Sequence, residues 1–473
     1  MKKPIRAILI GAGNRGVTYG GYALENPEKL NFIAVAEPLD RRREKFAKDH
    51  KINSQNTSAD WKDLLNRERF ADIVVICTPD QMHLEPTLMA LEKSYDVLLE
   101  KPMAHTLEDC IKIVRKAEVT GRVLGVCHVL RYTDFFQKVI QTIKSGRLGK
   151  VINITQRENV AYYHFAHSYV RGNWANRDKS SPMILAKCCH DLDLLYWFMG
   201  SLPKEISSTG DLIHFTKENA PEGAPKYCIE GCPIEDICLY YAPRIYIDIE
   251  PIIQIVNKSN RGFYKFIVNL RKNHLKLLTF LSKFISLLKR LRYWRDWPVN
   301  YLYENEPEDY SDEAKRRILK TNPYGRCVYQ ADNNVVDHQL VNIKFENGST
   351  ANLCVHGFSP YEGRTLRIDG EKGTLIGEFM AYGEKLTFLD PLDGKEEIIY
   401  EKDLDVTGAQ HGGGDYQLLE AFIQDLTTES KNPLTDAKEV LESHIMAFAA
   451  DKARLSHKVI NMESFREKNI KNK

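Results

Sequence analysis

Three groups of residues in this 473-residue chain have types and spacings that could do chemistry. The first is Gly11-Ala12-Gly13-Asn14-Arg15-Gly16, directly after the apolar run IRAILI. A first glycine permits a tight turn, a second lets a pyrophosphate approach the backbone, and a third lets a helix pack closely on the strand. The helix N-terminus then faces the phosphates. A second apolar run, FIAVA, ends in Glu37, where a carboxylate can accept hydrogen bonds from ribose hydroxyls and so favours NAD over NADP. Arg41, Arg42 and Arg43 offer an alternative contact for a 2′-phosphate, although a solvated first helical turn is their more ordinary role. The second group lies in two loops, Thr78-Pro79-Asp80-Gln81-Met82-His83 after ADIVVI and Glu100-Lys101-Pro102 after DVLL. Ligands of open parallel sheets sit at strand carboxyl ends, so Thr78, Pro79, His83, Glu100 and Lys101 are placed to line a cofactor cleft; His83 can equally do no more than start a helix. The third group is Cys228, Cys232, Cys238 and Cys327. Four thiolates suit a closed tetrahedral Zn²⁺ site. The spacing is not a regular pair of knuckles, so free buried thiols stand beside zinc as a reading, with an iron–sulfur cluster or a disulfide behind them.

These residues need elements to hold them. Strand-like runs alternating with helical stretches through residue 126 predict an α/β, doubly wound parallel sheet. Residues 122–128 read as a further strand leading to His128, followed by a helix that stops near Gly146 and Gly149. Beyond it, VINITQREN alternates like a half-buried strand, and DNNVVDHQLVNIKFENGSTANLCVHGF carries two strands across an Asn-Gly turn. These patterns divide the chain into an α/β first part over 1–126 and a second part over 127–473 whose strands suit an antiparallel sheet. The second part includes a cysteine-containing segment at 226–240 and a basic helical insertion at about 250–310.

GAGNRG, CTPDQMH and EKPMAHTLEDC, in this order and spacing, resemble the family of glucose–fructose oxidoreductase, inositol 2-dehydrogenase and rhizopine-catabolism oxidoreductases, Gfo/Idh/MocA. The resemblance implies a Rossmann domain over 1–126 followed by an α+β domain over 127–473 with a large, mostly antiparallel sheet, NAD or NADP at the switch point of the first sheet, and substrate between the two domains. It also implies that Lys101 contacts nicotinamide ribose and substrate as a proton-relay or positioning group. Residues 181–193, SPMILAKCCHDLD, resemble the family's second catalytic segment, with His190 as the acid/base that takes a hydroxyl proton; an unperturbed imidazole titrates near neutrality. Inositol-dehydrogenase-like members carry an aspartate four residues earlier, and that position is Ala186. Lys187, read on the same helical face as His190, would lower the imidazole pKa, which leaves Asp191 and Asp193 as candidate partners. His164, Arg171, Trp174 and His411 are candidates for lining a sugar pocket together with Lys187, and Asp415 either approaches the substrate or caps the helix DYQLLEAFIQDL.

A net charge of +2 supplies no global field for nucleic acid. Residues 257–297 nevertheless carry eleven Lys or Arg against one acid. Apolar residues recur there at helical spacing, which predicts one or two basic amphipathic helices. Packing on the domain or on another subunit is the leading role, with adsorption to an anionic membrane surface as its rival. With no signal-like N-terminus, the expected compartment is the cytoplasm, and a homo-oligomer through the C-terminal sheet is expected. The function that follows is NAD-dependent oxidation or reduction of a sugar, cyclitol or related polyol. Two alternatives stand beside it: an NAD-dependent glycoside-cleaving enzyme with no net redox change, and a non-catalytic nucleotide-binding regulator.

Overall fold

Short runs rich in Ile, Val and Leu make a six-stranded, wholly parallel sheet: Ile5–Ile10 (β1), Leu30–Ala36 (β2), Thr57–Ser58 (β3), Ile73–Ile76 (β4), Asp96–Leu99 (β5) and Leu124–Val126 (β6). In the computed structural model, which describes residues 3–284, 288, 292, 294, 296–303, 309–404, 410–427 and 433–471, the strand order is β3-β2-β1-β4-β5-β6. The order reverses between β1 and β4, so a crevice opens at their carboxyl ends. The two-residue β3 is the strand that sequence periodicity missed, being too short to show any. Helix Leu107–Thr120 illustrates how locally these elements are specified. Thr106 caps it by accepting from Asp109 N, Glu108 and Asp109 sit in the first turn, and Gly121 ends it at φ 61°.

The second sheet has nine strands: Val151–Ala161 (β7), Pro203–Thr209 (β8), His338–Phe345 (β9), Thr350–Ser359 (β10), Gly363–Gly370 (β11), Thr374–Met380 (β12), Gly383–Leu389 (β13), Glu396–Asp403 (β14) and Ile460–Asn461 (β15). Their order is β14-β13-β12-β11-β7-β10-β9-β8-β15, antiparallel except for the β7–β10 pair. The expected α/β architecture with a mostly antiparallel second sheet is therefore present. Helices from the far end of the chain complete the first sheet. Leu418, Leu419 and Phe422 close one apolar cluster against it, and Ala437 and Val440 close the other.

The basic insertion begins with helix Glu250–Lys258, and helices Gly262–Asn273 and Leu275–Leu281 follow within 257–297 among its described residues. Its apolar positions divide. Ile267, Leu270 and Leu278 are buried, whereas Phe263, Phe266, Phe280 and Phe284 stay exposed.

Candidate active site

The glycine turn leaves β1 with Gly11 at φ +92°, where a Cβ would lie 2.7 Å from Cys77 O; at Gly16 it would meet Gly11 O at 2.3 Å. Both glycines are therefore required by the chain's own packing. Gly13 is not, since its Cβ would meet only Arg42 Nη1, at 3.6 Å; a glycine there instead keeps room for something outside the chain. Asn14 opens helix Asn14–Glu25. Glu37, almost fully buried, closes over this turn, its two oxygens accepting from Ala12 N (2.8 Å) and Leu39 N (3.1 Å). Arg43 donates to the Glu37 carbonyl (2.6 Å) and Arg41 reaches Tyr303 O (2.8 Å). At the end of β4, Pro79 begins a short turn, and the hydroxyl of Thr78 is buried with no hydrogen-bond partner among the described residues. An open Gly13, a fixed carboxylate at Glu37 and an orphaned hydroxyl at Thr78 fit a dinucleotide laid along the strand ends.

Arg15 and Glu100 meet each other. Arg15 Nε donates to Glu100 Oε1 at 2.6 Å, Tyr19 OH donates to the same oxygen at 2.6 Å, and Arg15 also pairs with Asp415. Burial works to raise the Glu100 pKa, but Arg15, Tyr19 and Lys101 hold it below the usual range. Asp415 therefore ties the distant helix Gly414–Leu426 to the glycine turn, and Gly413 occupies the N-cap position considered for it. His83 pins two loops together, one ring nitrogen at 2.8 Å from Pro102 O and the other at 2.9 Å from Thr78 O.

Lys101 extends from this edge and donates from Nζ to Ala186 O at 3.0 Å. The segment it touches differs from the continuous helix expected. Helix Met183–Ala186 stops, residues 187–188 turn, and Cys189–Met199 begins anew. Lys187 consequently does not share a helical face with His190. Its ammonium is held by Glu362 (2.6 Å) and Glu158 (3.3 Å), which keep it charged against the pull of burial. Glu362 also faces His164 Nδ1 at 3.0 Å. Burial opposes its ionisation, yet His164 and Lys187 hold it well below the usual carboxylate range. Glu158, buried beside Asp191 and Glu362, is pushed up to about 7 in spite of Arg364 and Lys187. His190 is buried with its ring edge-on to His128 at 5.4 Å, and His128 in turn meets His444 at 5.5 Å. The two partners considered for it are engaged elsewhere. Asp191 binds Arg364 (2.8 and 3.1 Å) and Gln156 (2.6 Å), and Asp193 binds Arg131 through both oxygens at 2.8 Å.

The structure thus brings together Lys101, Lys187 and His164, and adds Glu158, Glu362 and Arg364, which sequence reasoning missed. Arg364 and Glu158 are direct cross-strand partners on β11 and β7. A charged residue at an inward position of an alternating strand was the available signal. Trp174 bridges the two halves by donating from Nε1 to Asp80 Oδ2 (3.0 Å), and its ring stacks on Tyr169.

Arg171 does not join this group. It is buried, donating to Arg326 O and Tyr240 O (2.7 Å each) and to Cys228 Sγ (3.5 Å), and so anchors the cysteine segment. Cys228, Cys232, Cys238 and Cys327 line one small cavity as free thiols. No group of three or more metal-binding side chains is gathered among the described residues. The side chain of His411 lies outside the described residues, as do Ile285 and Leu291 of the basic insertion.

Residues 5–128 match the model of an oxidoreductase family with an NAD-binding Rossmann fold, and residues 136–225 match the GFO/IDH/MocA C-terminal domain. The putative oxidoreductase YteT of Bacillus subtilis is 24% identical over 77% of this chain and 74% of its own length. A 2,7-anhydro-N-acetylneuraminate hydratase of Mediterraneibacter gnavus is 26% identical over 44% of this chain and 53% of its own. An Agrobacterium radiobacter oxidoreductase solved with NAD+, L-tartaric acid and magnesium superposes with a TM-score of 0.63 over 98% of this chain and 99% of that one, at 14% identity. With both family models matched in order and the doubly wound sheet followed by the nine-stranded one, the chain belongs to the Gfo/Idh/MocA family of NAD-binding oxidoreductases.

Proposed function

We propose that this oxidoreductase interconverts a secondary alcohol and a ketone on a sugar, cyclitol or related polyol, with NAD preferred to NADP. The observation that carries the proposal is the convergence of Lys101, Lys187, His164 and Glu362 where the two sheets meet, a set of donors and acceptors suited to a hydroxyl-rich substrate. Bound nicotinamide supplies the two-electron redox chemistry. The chain's part is to bind, orient and move protons: Gly13, Glu37 and Thr78 receive the dinucleotide, and Lys101, steadied by the Ala186 carbonyl, positions the reacting hydroxyl. The preference for NAD rests on the buried Glu37, whose carboxylate would stand against a 2′-phosphate.

The second reading, bond cleavage through transient oxidation without net redox change, is favoured by the hydratase among the relatives. A panel of sugars and cyclitols, run with NAD and with NADP and followed by nicotinamide absorbance and product mass, separates the two. Net absorbance change with NAD is expected. Product without absorbance change selects the second reading, and NADP supporting faster turnover than NAD overturns the cofactor assignment.

We propose two further assignments. A structural Zn²⁺ held by Cys228, Cys232, Cys238 and Cys327 is supported by their convergence on one cavity, and its loading requires the sulfurs to draw inward. Purified protein then carries about one zinc per chain, and less than roughly a tenth of an equivalent contradicts it. The exposed Phe358 and Leu340 on the second sheet support a homo-oligomer through that sheet.

A further inference from the structure

Position 186 is alanine where inositol-dehydrogenase-like members carry an aspartate, and Asp191 and Asp193 bind Arg364 and Arg131. A carboxylate–imidazole pair of the same chemical kind nevertheless exists a short way off. Glu362 lies in the turn between β10 and β11 and is fixed by three contacts. Its Oε2 accepts from Ala161 N at 2.8 Å, and its Oε1 faces both Lys187 Nζ at 2.6 Å and His164 Nδ1 at 3.0 Å. His164 is thereby held through one nitrogen, with its ring edge-on to Trp297 at 5.0 Å. Its Nε2 has no partner among the described residues. About a fifth of the side chain remains accessible (22%), against 5% exposure for His190.

We propose that His164, oriented by Glu362, is the group that exchanges the proton of the substrate hydroxyl, in place of an Asp-supported His190. The proposal rests on the alcohol–ketone reading above. In the oxidative direction the O–H proton passes to His164 Nε2, the C–H electron pair and its hydrogen leave for oxidised nicotinamide, and a C=O bond forms. Nδ1–H donates to Glu362, which stays ionised and stabilises the imidazolium. The charged groups that bear on His164 are Glu362, Lys187 and Lys101, with His167 one helical turn away. Burial, Lys187 and Lys101 favour the neutral ring and Glu362 opposes them, so the imidazole is in its proton-accepting form at neutral pH.

The test uses full-length His164→Asn, Glu362→Gln and His190→Asn proteins with three readouts: the pH profile of kcat/KM, NAD affinity by calorimetry, and NMR titration of His164 in cofactor-free protein. His164→Asn is expected to lower turnover by about 10²–10⁴-fold and abolish the acidic limb of the profile, with NAD affinity unchanged. Glu362→Gln retains an oxygen for Ala161 N. Because it removes the charge that favours the imidazolium, the acidic limb and the His164 titration should both move to lower pH. Turnover of His164→Asn within threefold of wild type, with the acidic limb intact, overturns the proposal, and loss of that limb in His190→Asn alone would return the role to His190. Should wild type turn over no polyol, the alcohol–ketone reading fails. The NMR arm still decides the pair, since a His164 titration unmoved by Glu362→Gln overturns the proposal for any substrate.

Discussion

The two walls of the cleft are polar for different reasons. On the first-sheet wall the reactive surface is largely backbone and space: a turn with φ +92° at Gly11, an unfilled position beside Gly13, and a hydroxyl at Thr78 that the chain itself leaves unpaired. On the second-sheet wall the surface is packed charge. Glu158, Glu362 and Asp191 share Lys187 and Arg364 within interlocking ion pairs, and His164 faces Glu362 beside them. Buried ions are tolerated only when each has its partner. The first wall is thus built to be completed by a ligand, whereas the second is already complete and presents an accessible histidine at its margin. Binding specificity of the first wall can be altered at Gly13 or Thr78 at little structural cost, while changes to the second alter folding and chemistry together.

Lys101 joins the walls, and its removal should have the largest effect on chemistry alone. Lys101→Ala is expected to reduce turnover by about 10²–10⁴-fold with NAD affinity nearly unchanged, because the ammonium reaches toward Ala186 rather than toward the glycine turn. Steady-state kinetics and calorimetry on the same preparation check this. A variant that loses cofactor affinity in proportion to turnover would place Lys101 on the first wall instead.

Arg364→Met probes the second wall. The substitution leaves Glu158 and Asp191 buried without their guanidinium and should destabilise the fold by about 3–5 kcal/mol. The loss should depend on pH in a definite direction. Glu158 already sits at about 7, above its ordinary 4.5, and losing Arg364 raises it further. A carboxyl whose folded pKa lies above its unfolded value contributes stability that is fully present below the unfolded pKa and disappears as pH rises through the folded one. Denaturant unfolding should therefore show a larger deficit at pH 8 than at pH 5. A deficit that is constant with pH would mean that losing Arg364 leaves the protonation of Glu158 unchanged over this range.

The contrast between the walls also explains what the sequence reveals. Gly11, Gly16, Glu37 and the loops carrying Thr78 and Lys101 follow from local rules, since each strand end and turn is specified within a few residues. The doubly wound order follows from alternating elements. Glu158 and Arg364, by contrast, are 206 positions apart, and only the β7–β11 register sets them side by side. The absence of a carboxylate at Ala186 is legible, but what takes its place is not, because Glu362 arrives from the β10–β11 turn, 175 positions from Lys187. Lys187 misled for a related reason. Helical periodicity runs on across residues 187–188 in the sequence, where tertiary contacts with Glu158 and Glu362 instead hold a turn. Arg171 stands in sequence beside candidate sugar contacts, whereas its partners come from Arg326 and Tyr240.

The smallest expected effect belongs to the first wall and tests whether it is indeed left open for a ligand. Thr78→Val keeps the branched shape and deletes a buried hydroxyl that has no partner among the described residues. An unsatisfied buried polar group costs about 1–3 kcal/mol, whereas a hydrogen bond made to it contributes about 0.5–1.5 kcal/mol net. Cofactor-free protein should accordingly unfold no more easily than wild type, and slightly less easily if the hydroxyl is a true cost. NAD affinity should fall by roughly two- to tenfold, the loss of one hydrogen bond. These two changes have opposite signs and so cannot both come from a general loosening of the β4 loop, which would weaken stability and affinity together. Increased stability with undiminished affinity would show that the dinucleotide does not use this hydroxyl, and would leave Gly13 and Glu37 as the features of the first wall that await it.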